Sequence, residues 1–294
     1  MKDKPIPLLK KFESLAKGKT AELGVGLGSS VIHNEKILKA SIKFSEDQSS
    51  KIYLIGPDIA LHNLDGKIPS KHKSNLFLVK SQEPERTIFE YFAQNKIQAV
   101  IRGSLSSNKF LFNLKKSFAI EMVYRLALLE TINGYQFFYG PVGIDECNSV
   151  ESKVEFLENV VRKFELLDIE LKISILSGGR QGDLGRDSYI DKSIRNGEET
   201  VAIMKKRFPR LNINHDQILI ENAIQNKSNL ILAPDGISGN LIYRTLVHLG
   251  GGNAYGAFYM FSEEKLDNKV IIDTSRVGKI AEIGGAFVLA LALL

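Results

Sequence analysis

The chain is poor in the residues that staple or metallate a fold. Its one cysteine, Cys147, cannot close an intramolecular disulfide, and its 5 histidines are scattered without ligand spacing. A secreted disulfide scaffold and a zinc-finger-type site are both excluded, and no metal is expected. Long apolar runs are also missing. The longest, Ile283–Leu294, falls well short of the roughly 20 residues a membrane span needs and reads as a buried closing helix. The amino terminus, MKDKPIPLLKKF, mixes charge and proline without an apolar core, so no signal peptide is expected and the cytoplasm is the expected location. Charge of one sign is scarce too: 39 Lys plus Arg face 34 Asp plus Glu, interleaved, for a net +5. Short clusters such as Lys71-His72-Lys73 lack the alternating aromatics of a base-stacking platform, so nucleic acid is not an expected partner. The mild basic bias fits small anionic molecules better.

What is present is an α/β pattern. With 294 residues, 44% apolar and 25% charged, the chain fits two globular domains or one large one. Strands are predicted at Ala21–Val25, Lys51–Ile55, Asn75–Val79, Ala99–Ile101, Tyr135–Tyr139, Leu171–Leu176, Leu230–Ala233 and Val270–Ile272. Helices are predicted at Val31–Ala40, Glu85–Asn95, Phe118–Leu129, Ser149–Leu166, Glu198–Arg207 and Leu241–Leu249. The alternation argues for βαβ units and a largely parallel sheet, its continuously apolar strands covered on both faces. Composition shifts near 130–147 and after the acidic segment 262–267 divide the chain. The expected domains are 1–132 completed by 268–294, and 133–267.

Three glycine-rich segments follow predicted strands. Glu22-Leu-Gly24-Val-Gly26-Leu-Gly28 lets backbone approach a phosphate or an adenosine, or is simply a tight turn; its E-x-G-x-G-x-G spacing matches many S-adenosylmethionine methyltransferases. Ser177-Gly178-Gly179-Arg180-Gln-Gly182-Asp183-Leu-Gly185-Arg186 combines close backbone approach with guanidinium forks suited to phosphate. Ala233-Pro-Asp235-Gly-Ile-Ser238-Gly239-Asn240 reads as a strand end, a small-residue loop and a helix starting near Asn240, with Ser238 or Asn240 as N-cap. Such loops at strand carboxyl ends are where open α/β sheets bind ligands.

The run PDGISGNLIYRTLVHLGGGNAYG resembles the signature of phosphate acetyl- and butyryltransferases. ILSGGR with YIDKSI is similar to that family's serine-glycine segment and the helix after it, and Asp273-Thr274-Ser275-Arg276 is similar to its D-L-S-R. Length and a divergent amino-terminal third look most like an archaeal, phosphotransacetylase-like branch of that family. The resemblance implies two α/β domains in an isocitrate/isopropylmalate-dehydrogenase-like fold with an inter-domain cleft, a homodimer, and acyl transfer between phosphate and a thiol carrier. Coenzyme A would be the substrate, with no further cofactor. It places Ser275 and Arg276 on the acyl phosphate and Glu282, where the family has Asp, as base on the thiol. It draws Ser177, Gly178, Gly179, Arg180, Asp235, Ser238, Gly239 and Asn240 to substrate or phosphate, together with Arg102 and Ser104 from the loop Arg102-Gly-Ser104-Leu-Ser-Ser. The family's clamp arginine falls at Asn113, so Lys115, Lys116 or Arg102 would have to supply that charge. A methyltransferase using the first glycine segment, and a non-catalytic binding or assembly protein, are the alternatives. Cys147 reads as structural and His248 as a helix residue.

Overall fold

The computed structural model describes residues 6–47, 49–261 and 269–294, and the chain divides into two compact units. Unit 1 takes the described residues up to Met122, Asn253–Tyr259 and 269–294; unit 2 takes Val123–Gly252 and 260–261. The acidic segment that marks the second composition shift lies outside the described residues.

Unit 1 runs α1 (Leu8–Ala16), β1 (Glu22–Gly26), α2 (Val31–Asp47), β2 (Lys51–Gly56), α3 (Asp58–Asp65), β3 (Leu76–Lys80), α4 (Pro84–Ala93), β4 (Ala99–Ile101) and α5 (Ser107–Phe118). Its strands lie in the order β3-β2-β1-β4-β11, all parallel, where β11 is Val270–Asp273 near the carboxyl end. The strand β10 (Asn253–Met260) runs antiparallel beside β11. Leu23, Val25, Ile52, Leu54, Val100 and Ile101 are fully buried, as a sheet covered on both faces requires. The closing helix α10 (Ile280–Leu293) is apolar around most of its circumference and packs on α1 and α2, the pattern of a core helix. Among the described residues no helix is long and apolar enough to cross a membrane.

Unit 2 runs β5 (Tyr124–Glu130), β6 (Gln136–Gly140), α6 (Val150–Leu166), β7 (Lys172–Leu176), α7 (Ser188–Arg207), β8 (Asn212–Gln217), α8 (Ile220–Gln225), β9 (Leu230–Leu232) and α9 (Gly236–Arg244). Its strands lie in the order β5-β6-β9-β7-β8, antiparallel at β5–β6 and parallel thereafter.

Three sequence-based assignments are corrected. The predicted helix Phe118–Leu129 is instead the end of α5, a left-handed residue at Ala119 (φ 52°) and the strand β5. Leu126–Leu129 are fully buried, and a short continuous apolar run cannot be told from a buried helix by period alone. The helix expected to start near Asn240 starts at Gly236, because Asp235 rather than Ser238 caps it. The helix expected at Glu198 begins ten residues earlier at Ser188, where the Asp187 carboxylate accepts from the Tyr189 and Ile190 N–H groups.

Candidate functional site

Because β1, β4 and β11 are adjacent and parallel, the loops that follow them in unit 1 (27–30, 102–106 and 274–279) share one end of the sheet. Arg102 and Asp273 tie two of these loops together. The Arg102 guanidinium donates through Nε to the Asp273 carboxylate, through Nη2 to the Thr274 carbonyl, and through Nη1 to the Leu105 carbonyl at 2.8 Å. Both side chains are buried. A buried ion pair holds when extra hydrogen bonds satisfy its remaining donors, and here the guanidinium meets that condition. Arg102 therefore binds protein main chain in the place where an open phosphate clamp was expected. Ser104 is similarly engaged: its hydroxyl donates to Asn34 Oδ1 and accepts the Gly28 N–H at 2.6 Å. Thr274 Oγ1 donates to the Gly103 carbonyl at 3.2 Å, and Lys36 Nζ to the Gly278 carbonyl at 3.2 Å.

The turn Ser275–Gly278 is held from beneath by Glu282 in the first turn of α10. Glu282 Oε1 accepts the Ser275 N–H at 2.6 Å, and a Cβ on Gly278 would fall 2.0 Å from Oε2. The carboxylate is 2% exposed. Through this bond Glu282 holds the main chain of the serine–arginine turn. Ser275 Oγ accepts the Val277 N–H at 3.3 Å. Arg276 is exposed and makes no hydrogen bond or ion pair with a described residue. His33, two residues into α2, is 2% exposed with neither ring nitrogen hydrogen-bonded. Burial, reinforced by the Lys36 and Arg102 charges, lowers its imidazole from 6.5 to about 4.

Two further expectations meet steric facts. A Cβ on Gly26 would lie 2.7 Å from the Arg102 carbonyl, and one on Gly28 would lie 2.3 Å from that of Ser104. Gly26 and Gly28 thus let the loop after β1 pack closely on the loop after β4, where the Leu105 side chain and the Arg102 and Ser104 carbonyls occupy the space before them. Lys115 and Lys116 occupy the last turn of α5, whereas the 102–106 loop adjoins its first. At 1.5 Å per residue that is roughly 12–15 Å along the helix from the loop.

In unit 2 the other predicted residues gather at the carboxyl ends of β6, β7 and β9. Asp235 Oδ1 accepts from the Ser238 N–H at 2.8 Å and from the Ser238 hydroxyl at 2.7 Å; Tyr189 OH donates to Oδ2 at 3.4 Å. A Cβ on Gly239 would sit 2.0 Å from the Pro141 carbonyl, and Asn240 Nδ2 donates to the Val142 carbonyl at 2.8 Å. The motif is a joint that locks α9 onto the loop after β6. Ser177 Oγ donates to the Gly179 carbonyl at 3.0 Å and lies 2.9 Å from His215 Nε2, while the Gly178 N–H donates to Ser193 Oγ at 2.8 Å. Arg180 is exposed.

Sequence reasoning missed His33, Asn34 and Lys36 on α2, and Lys153 and His215 in unit 2. Asn34 and Lys153 carried a weak signal, each a polar residue on an otherwise apolar helical face; His215 sits in a strand too polar to be predicted. Cys147 is buried, its thiol pushed up by desolvation.

No protein-family model matches the chain. It is 36% identical to "Putative methyltransferase mtx subunit X" of Methanosarcina mazei over 273 residues, which is 92% of this chain and 90% of that protein. Among solved structures it is similar to a phosphotransacetylase from Streptococcus pyogenes, with TM-score 0.68, 15% identity and 98% of each chain covered. It is also similar to 4-hydroxythreonine-4-phosphate dehydrogenase from Klebsiella pneumoniae, with TM-score 0.58 and 10% identity over 93% of this chain and 99% of that one. At these identities the structural likeness concerns the fold, which is that of the phosphotransacetylases.

Proposed function

The chain belongs to the mtx subunit X family, and on that premise we propose that it is a phosphate-acyltransferase-like enzyme moving an acyl group between phosphate and a thiol carrier such as coenzyme A. The observation that carries this reading is the Ser275–Arg276 turn. A hydroxyl and a guanidinium that makes no hydrogen bond or ion pair with a described residue follow the carboxyl end of β11, on a turn whose main chain a buried carboxylate holds. Arg276 offers a planar fork to a phosphoryl group and Ser275 a hydroxyl donor to the oxygen that gains charge. In the forward step the thiol sulfur attacks the acyl carbonyl carbon, the C–S bond forms, the C–O bond to phosphate breaks, and the thiol proton leaves with the phosphate. Glu282 positions the turn. The resemblance further supports a homodimer, the isocitrate/isopropylmalate-dehydrogenase class of fold, and an association with methanogenesis.

The relatives' name favours a second reading, a methyltransferase subunit. The packing of Gly26 and Gly28 against the 102–105 main chain speaks against a methyl-donor site at that segment. The deciding experiment is thioester formation from acetyl phosphate and coenzyme A, beside thermal-shift titrations with each compound and with S-adenosylmethionine. Thioester formation that depends on Arg276 supports the proposal. Stabilisation by S-adenosylmethionine alone, without thioester formation, replaces it with the second reading.

A further inference from the structure

We propose that the amino-terminal end of α2 is a binding site for the carboxylate of a small aliphatic acid, with His33 as its buried partner. Neither the site nor its test depends on the transferase reading.

Ser30 stands at the N-cap of α2. Its carbonyl accepts the Asn34 N–H at 2.9 Å, and its hydroxyl accepts the His33 N–H at 3.4 Å. The N–H groups of Ser29, Ser30, Val31 and Ile32 donate to no described residue, and these residues are exposed. Unfilled amides at the start of a 17-residue helix favour negative charge.

A second observation points to a ligand there. His33 is the third residue of the helix, and helical side chains lean back toward the amino terminus. Its turn is held by neighbours on both sides. Asn34 Nδ2 donates to the Gly28 carbonyl at 2.9 Å, Lys36 Nζ donates to the Gly278 carbonyl at 3.2 Å, and Ile37 Cδ1 lies 3.1 Å from where a Cβ on Gly103 would stand. Within this frame His33 is 2% exposed, and neither ring nitrogen has a hydrogen-bond partner. Burying a polar group unmet is costly. Because no bond holds the ring, it can turn about its broad χ2 torsion and present a nitrogen toward the N-cap without losing one.

The chemistry of the set selects the ligand. The full charges nearby are engaged, Lys36 with the Gly278 carbonyl and Arg102 with Asp273. Burial keeps the His33 ring neutral at neutral pH. What remains is amide dipoles, serine hydroxyls and one imidazole N–H, without the guanidinium fork that suits a phosphoryl dianion. That set matches one negative charge shared by two oxygens. Val31 and Ile32 place exposed aliphatic surface beside the unfilled amides, which suits a short hydrocarbon chain.

The test is an amide and imidazole 15N titration at neutral pH, in an Arg276→Gln background so that the exposed guanidinium does not contribute. The probes are pentanoate, acetate and inorganic phosphate at constant ionic strength. The Ser29–Ile32 amides and the His33 ring nitrogens should shift together and saturate with pentanoate, less tightly with acetate, and not with phosphate. Ile32→Asp changes an exposed side chain and sets a competing carboxylate beside the same amides, so it should abolish saturation with the fold intact. His33→Phe should weaken pentanoate about 10- to 100-fold, the worth of a hydrogen bond to a charged group. It should also raise the melting temperature of the ligand-free protein, because an apolar ring replaces an unmet polar one. Should His33→Phe fail to fold, Ile32→Asp and the ring resonances decide the matter. Pentanoate affinity unchanged in either folded variant would overturn the proposal. So would His33 resonances that stay unmoved while the amides shift, or saturation by phosphate in place of the carboxylates.

Discussion

Glu282 and Ser275, seven positions apart after the carboxyl end of β11, are joined by a 2.6 Å hydrogen bond from the serine N–H to Oε1. The bond sets what the carboxylate is able to do. A buried acid that holds main chain restrains the backbone from which Ser275 and Arg276 extend.

Glu282→Gln keeps an acceptor for the Ser275 N–H, so the turn should survive. If Glu282 only positions, thioester formation should fall by less than about tenfold in Glu282→Gln and far more in Glu282→Ala. If it were the base, Glu282→Gln alone should cost about 10²–10⁴ in turnover. Comparing the two variants in one turnover assay separates the roles.

Arg102→Met removes the guanidinium that Asp273 is paired with, and breaking a buried pair from one side costs about 3–5 kcal/mol. Chemical denaturation should show a loss of this order. A loss near zero with weakened phosphate binding would instead restore Arg102 as an open clamp.

The sequence carried the alternation of strands and helices because continuous apolar runs and glycine-rich punctuation are local signals, and Ala99–Ile101 was bounded to the residue. It failed at β5, where Leu126–Leu129 is a continuous apolar run with no period of its own and its pairing with β6 decides for strand. At the candidate site, Ser275 and Arg276 were legible from a motif. The engagement of Arg102 with Asp273 was not, since it joins loops 171 residues apart. Nor could spacing reveal that the space before Gly26 and Gly28 is filled by the Leu105 side chain and by carbonyls from another strand end.

Gly26→Ala would bring a methyl within 2.7 Å of the Arg102 carbonyl. Overpacking of this kind costs about 1–3 kcal/mol. The melting temperature should drop while any binding of S-adenosylmethionine stays as in the wild type. Loss of measurable S-adenosylmethionine binding with stability intact would reverse the reading of this segment.

His33 gives the protein a pH signature. Its imidazole is held near 4 in the folded chain against 6.5 when unfolded, so between these values the unfolded state binds the extra proton. The stability tied to the neutral ring is fully present above pH 6.5 and is lost as pH falls towards 4. His33→Gln should flatten that part of the curve of unfolding free energy against pH. An unchanged slope between pH 4 and 6.5 would show that the ring titrates elsewhere.

Arg276 is the sharpest test of the proposed chemistry, because it is exposed and touches no described side chain that would suffer from its loss. Surface changes of this kind stay within about 0.5 kcal/mol of stability, so any effect on ligands reads the site and not the fold. A guanidinium on a phosphoryl group makes charge-assisted, two-pronged hydrogen bonds, and losing a hydrogen bond to a charged group costs about 1.5–3 kcal/mol. At 1.4 kcal/mol per decade, Arg276→Gln should weaken acetyl phosphate binding by about 10- to 100-fold. Arg276→Lys keeps the charge but not the fork, and should recover only part of the loss. Coenzyme A, which brings its own phosphates, should be affected less if Arg276 serves the acyl phosphate. Equal weakening of both would move the arginine to the carrier, and no weakening of either would remove the turn from the mechanism.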